Sequence, residues 1–117
     1  MKKIISISLI TVITILTMYF FGIFTRFNYL TAQIDILNNS ARIVTIGLVK
    51  EHCGVACIGL KEKYGFHEHY YGCTVTEPEL TGIEIYNNQI EKHLNKRNGD
   101  NWREKYKKEL KTIYERY

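Results

Sequence analysis

The chain has 117 residues, 45% of them hydrophobic, with 16 Lys and Arg against 12 Asp and Glu for a net charge of +4. That length supports one core and excludes a large enzyme or a multidomain protein. The composition excludes a collagen-like or disordered chain, and three cysteines exclude a disulfide-dense miniprotein.

Both averages conceal a division. Ile4 to Phe24 contains no charged residue in 21 positions. Residues 1–90 carry seven basic and seven acidic side chains, and residues 91–117 carry nine and five, so the net charge belongs to the C-terminal end. The run Ile4–Phe24 reads as a transmembrane helix, because about 20 residues at 1.5 Å each cross the roughly 30 Å hydrocarbon layer. Its Ile, Val and Thr disfavour a helix in water, but in lipid only a helix satisfies the backbone of a single segment. Tyr19, Phe20, Phe21 and Phe24 gather at its far end, where Tyr suits the interface.

A cleaved signal peptide needs a shorter apolar region followed by small residues. The sequence after Phe24 is Thr-Arg-Phe-Asn-Tyr-Leu, so an uncleaved signal-anchor is expected, with secretion after cleavage as the alternative. Lys2 and Lys3 precede the segment and only Arg26 closely follows it. That bias predicts a single pass with the C-terminal domain outside the bacterial inner (cytoplasmic) membrane. Ser8, Thr11, Thr14 and Thr17 recur every three residues, a spacing that drifts around a helix, and are expected to bond their own backbone carbonyls.

Residues 25–32 read as a linker and 33–117 as a small domain. Gln33-Ile34-Asp35-Ile36 alternates, Asn38-Asn39-Ser40 is a turn cluster, and Arg42–Ile46 is rich in β-branching, which predicts a hairpin over 33–49. A rival pattern, Leu30, Ile34, Leu37, Ala41, Val44 and Leu48, suits a helix leaving the membrane. Residues 50–64 predict a helix with Cys53, Cys57, Leu60 and Tyr64 on one face and Lys50, Glu51, Lys61 and Glu62 mainly on the other, ending at a left-handed Gly65. Phe66–Val75 reads as a strand. Thr76-Glu77-Pro78-Glu79 is a capping box opening a helix whose face is Leu80, Ile83, Asn87, Ile90 and Leu94. Lys92, His93, Lys96 and Arg97 sit near its end, where positive charge suits the helix dipole. Asp100 is expected to cap a last helix with Trp102, Tyr106, Leu110, Ile113 and Tyr117 inward. The expected fold class is α+β: an N-terminal transmembrane helix, then a β-β-α-β-α-α domain with a three-stranded sheet covered on one face.

The pattern Tyr64-Gly65-Phe66, Gly72-Cys73, Tyr86-Asn87 and Gly99 with Trp102 resembles small, uncharacterised bacterial membrane-anchored or secreted proteins. The resemblance covers roughly residues 32–110, and no activity, cofactor or catalytic residue comes with it.

The chemistry-bearing residues cluster at positions 52–73: His52, Cys53, Cys57, His67, His69 and Cys73. Thiolates and imidazoles are natural zinc or copper ligands, and Cys53, Cys57, His67, His69 and Cys73 supply enough for a tetrahedral site. Their spacing matches no familiar site, and Cys53 and Cys57 lie on an apolar stripe where Cys serves as a small hydrophobe, so no metal or cofactor is assigned. In an oxidising compartment a disulfide is expected. Cys53 and Cys57 on one helix face have nearly parallel Cβ vectors, which favours Cys57–Cys73, the shorter loop to the neighbouring strand.

Hydrolytic motifs are absent from the sequence, and no catalytic residue is assigned. Asp35 has no evident partner, and Glu77, Glu79 and Glu84 read as cap and surface residues. Nucleic acid is not an expected partner, because five acids interleave with the nine C-terminal bases. The expected function is a non-enzymatic interaction or structural module whose partners are the lipid bilayer and another envelope protein. The alternative is a metal-binding or thiol-redox protein using the 52–73 cluster.

Overall fold

The computed structural model describes residues 1–49 and 53–116. In chain order these form α1 (Lys2–Phe20), α2 (Tyr29–Leu37), β1 (Arg42–Ile46), α3 (Gly54–Tyr64), β2 (His67–Gly72), α4 (Glu77–Asn98) and α5 (Trp102–Tyr114). Among the described residues the sheet has two strands, not the three expected, and they run parallel. The β-β-α-β-α-α order is therefore corrected, among the described residues, to one β-α-β unit, β1-α3-β2, with four further helices.

The expected first strand is the element that changes. Asn28 and Thr31 form a reciprocal cap: the Thr31 amide donates to Asn28 Oδ1 at 3.0 Å, and the Asn28 amide donates to Thr31 Oγ1 at 2.9 Å. That cap starts a helix through Gln33–Ile36, whose alternation suggests a strand. Ala32 is fully buried against the core, and the Tyr86 hydroxyl donates to Asp35 at 2.6 Å, so tertiary contact overrides strand propensity. Asp35, without an evident partner in the sequence, also has Arg42 at 3.9 Å. Arg42–Ile46 is a strand as expected. Since α3 separates it from β2, the connection is a crossover and the pairing parallel.

Within residues 25–32, read from the sequence as a linker, Phe27, Asn28 and Ala32 are buried while Arg26, Tyr29 and Leu30 are exposed. Phe27 is 2% exposed and Asn28 5%, and the Asn28 side-chain amide donates to the carbonyls of Ile23 and Thr25 at 3.0 and 2.8 Å. Helix α1 ends at Phe20, four residues before the expected limit at Phe24. Thr11, Thr14 and Thr17 hydroxyls donate to the carbonyls four residues back at 2.8–2.9 Å, as expected from their spacing.

Elsewhere the patterning holds. Gly65 ends α3 with φ 87°, and the Thr76–Glu79 capping box opens α4. Ile83, Ile90 and Leu94 are buried, joined by Tyr86 and Gly82. Helix α5 starts after Asn101 with no side-chain cap, so Asp100 does not cap it. Trp102 is fully buried, its ring against Tyr64, Phe66 and Tyr106, and its indole N–H donates to Asn95 at 2.7 Å. Lys50, Glu51 and His52 of the expected third helix, and Tyr117, lie outside the described residues.

Two contacts set the direction of β1 against α4. Asn87, midway along α4, holds the backbone of Val44, and β1 opens at Ala41 beside His93 and Arg97 in the C-terminal part of α4. Strand β1 therefore runs antiparallel to α4, and the C-terminal ends of both strands lie at the start of α4. Gly22 packs there too: a Cβ on it would stand 2.8 Å from the Cα of Gly82 and would collide with the Pro78 carbonyl. The exit of α1, the start of α4 and the C-terminal end of the sheet share one end of the molecule.

Candidate functional site

The described members of the cluster are spread over α3, its N-cap, β2 and the residue after β2. Side chains alternate along a strand, so His67 and His69 share one face of β2 while Glu68 and Tyr70 share the other. His69 is half-buried, with its ring 5.1 Å from that of the buried Phe27. Burial holds its pKa below the ordinary value, and the nearby Arg26 and Arg42 lower it further. Helix α3 covers the opposite face, where Lys61 meets Glu68 at 2.5 Å and Ile58 lines a groove with Tyr70 that His67 also borders. His69 thus points away from α3, which carries Cys57, while His67 at the start of β2 borders the grooves on both sides. Among the described residues no three His, Cys, Asp or Glu side chains gather as a metal would require, and His52 is outside them.

The disulfide also differs from expectation. Cys53 pairs with Cys57, with Cα atoms 5.6 Å apart, and Cys73 is free and exposed. The expected Cys57–Cys73 bridge is therefore corrected. Parallel Cβ vectors require both cysteines on one helix, but Cys53 precedes Gly54, the first helical residue, and has ψ 8°. Outside the helix its Cβ need not run parallel to that of Cys57. Lys61, assigned to the polar face, is 5% exposed, its charge met by Glu68.

What the structure does assemble is an open groove of about 400 Å³ at the opposite end of the fold from the α1 junction. His67 of β2 comes together there with His93 and Arg97 of α4, over a floor that includes Phe66 and Ala41. Glu62 and Asn39 complete the rim, Asn39 with φ 53° in the turn after α2. The Arg97 guanidinium occupies the space that any side chain at Gly65 would need. Three nitrogen donors beside an apolar floor can receive a carboxylate or phosphate-bearing group, with Arg97 as the permanent charge. His93 and Arg97 were legible only as charges complementing a helix end; their spacing of four placed them on one face, but nothing in the sequence showed that His67 faces them.

A second polar cluster closes the outside of α3. The Tyr64 hydroxyl donates to Glu109 at 2.8 Å and Lys63 at 2.6 Å binds the other carboxylate oxygen. Burial, and then that bond to Glu109, pushes Tyr64 up to about 12. The bonds from Lys63 and then Tyr64 hold Glu109 below the usual carboxylate range.

Comparison with protein-family models, curated proteins and solved structures finds no match to this chain.

Proposed function

We propose that this chain is a single-pass protein of the bacterial inner membrane, held by α1, with its folded part outside as a non-enzymatic interaction or structural module. The observation that carries this reading is α1 itself. It is 19 residues long, long and apolar enough to be a membrane span or a signal sequence, and has no buried residue. A helix apolar on every side and uncovered by protein is suited to lipid. Lys2 and Lys3 ahead of it favour an inside N-terminus, and the Cys53–Cys57 pair suits an oxidising exterior. The groove at Arg97 opens at the end away from α1, where a second envelope protein has access to it.

Fractionation tests the reading. The protein stays with membranes through alkaline carbonate washing and is released by detergent, at full mass and with one thiol reactive in denaturant without reductant. Release by carbonate, a mass lacking the first segment, or three reactive thiols would each overturn it.

A thiol-redox role is the second reading, favoured by one observation. The disulfide sits at the N-terminus of α3, where the helix dipole stabilises a thiolate on Cys53 once the bond is reduced. A reduction potential well above those of structural disulfides supports this reading; one below about −300 mV removes it.

A further inference from the structure

The end of the fold nearest α1 carries an apolar surface that the core does not use. Leu48 is 74% exposed, Val49 62% and Val55 84%, with Ile58 at 52% beside them. Single exposed apolar residues are ordinary, but these four come from two consecutive stretches of chain on either side of the β1–α3 connection. Leu48 and Val49 follow directly on Gly47, whose amide donates to Gly72 at 2.8 Å at the C-terminal end of both strands. Helix α3 runs back along β2, with Lys61 at Glu68 and Ile58 near Tyr70, so Val55 in its first turn lies at that same end.

That end is where α1 leaves the fold, as Gly22 packed on Pro78 and Gly82 shows. The molecule measures 72 × 30 × 21 Å. The 19 residues of α1 and 22 of α4 span about 28 and 33 Å, so the long axis is filled only if α1 extends away from the fold at the start of α4. Phe21 and Phe24, at the exit, are 55% and 65% exposed. The exposed apolar surface therefore lies at the same end of the fold as the exit of the apolar helix, the end that faces a bilayer spanned by α1.

We propose that Leu48, Val49 and Val55 form a second membrane contact, dipping into the headgroup–acyl boundary of the bilayer that α1 spans. This contact rests on the anchor reading. A single helix, with the fold tied to it, can tilt and rotate in the bilayer. A second apolar contact at the exit fixes its tilt, and so holds the Arg97 groove outward from the lipid surface.

Tryptophan scanning of the full chain in phosphatidylcholine vesicles tests this, using lipids brominated on the acyl chains as quencher. Buried Trp102 supplies a constant background. Leu48→Trp and Val55→Trp alter exposed positions, and either one suffices if the other folds poorly. Phe24→Trp reports the anchor exit and Lys96→Trp the far end. The expected result is quenching at 48 and 55 within about twofold of that at 24, with none at 96. Quenching at 24 but not at 48 or 55 would overturn the second contact and leave the anchor. No quenching at 24 would overturn the anchor and the contact with it. Quenching at 96 equal to that at 48 would mean the fold lies flat on the lipid, which contradicts a fixed outward groove.

Discussion

Gly22 and Gly82 pack backbone to backbone where the apolar helix joins the fold. A Cβ on Gly82 would stand 2.5 Å from Thr25 Oγ1 and would collide with the Phe27 carbonyl. The Thr25 hydroxyl in turn lies 2.5 Å from the Gly22 carbonyl and 2.9 Å from that of Phe27, its single proton donated between them. The contact ties α1, the turn after it and α4 into one unit, so the orientation of α1 is passed to the globular part.

Gly82→Ala therefore destabilises the fold by about 1–3 kcal/mol, the range for overpacking a close contact, although Ala is the better helix former. Gly59→Ala is the control. No atom lies within 4 Å of its added Cβ, so it gains about 0.5–1 kcal/mol. Thermal unfolding followed by circular dichroism in detergent micelles separates the two signs.

Asn87→Ala exposes an edge. The Val44 amide donates to Asn87 Oδ1 at 2.9 Å, and Asn87 Nδ2 donates to the Val44 carbonyl at 2.8 Å, so one side chain stands in for a neighbouring strand. Losing both bonds to a buried residue costs about 2–4 kcal/mol and leaves strand edge free to pair between molecules. Denaturant unfolding gives the first quantity, and light scattering of the folded protein the second.

Trp102→Ala removes the largest fully buried side chain, and with it the partner of Asn95 and the ring shared by Tyr64, Phe66 and Tyr106. A loss of about 3–5 kcal/mol is expected, read as a lowered denaturation midpoint. Arg103→Ala, whose ion pair with Glu91 is partly exposed, changes it by less than about 1 kcal/mol.

Stability falls on both sides of neutrality, with the sign set by each shift. His69 is lowered from 6.5, chiefly by burial, so the unfolded chain takes up its proton first and stability declines as pH falls below about 6.5. Glu109 is lowered from 4.5, chiefly by its bond from Lys63, and Glu79 likewise by the Thr76 amide; their contributions are present above that value and are lost as pH falls through the folded pKa. Tyr64 is raised from 10.0 to about 12, so stability is also lost as pH climbs through that interval. His69→Gln removes the step nearest neutrality, and Tyr64→Phe reduces the alkaline one without abolishing it, because Tyr71 and Tyr86 are raised as well; both are visible in unfolding free energy against pH.

The parts of this fold legible in the sequence are those fixed within a few residues. The Thr76–Glu79 box, Gly65 after a helical stripe, and β-branched Arg42–Ile46 each carry a local cause and appear where expected. The Asn28–Thr31 cap was equally local, and it decides against the hairpin that Gln33–Ile36 suggested. Other features depend on distant packing. That α3 lies on the Glu68 and Tyr70 face while His69 meets Phe27 follows from the crossover, and it scatters the His and Cys cluster. The Cys53–Cys57 pair turned on a helix boundary of one residue. The groove at Arg97 was out of reach, since it joins β2 to α4 across the core.

Labelling from outside tests the central claim most directly. In a Cys73→Ser chain, Asp100→Cys places a thiol in the exposed turn between α4 and α5, at the end of the fold away from α1. Added to intact cells whose outer barrier is opened, a membrane-impermeant maleimide should label this thiol before the inner membrane is breached. Labelling only after the inner membrane is permeabilised would put the fold inside and contradict the account.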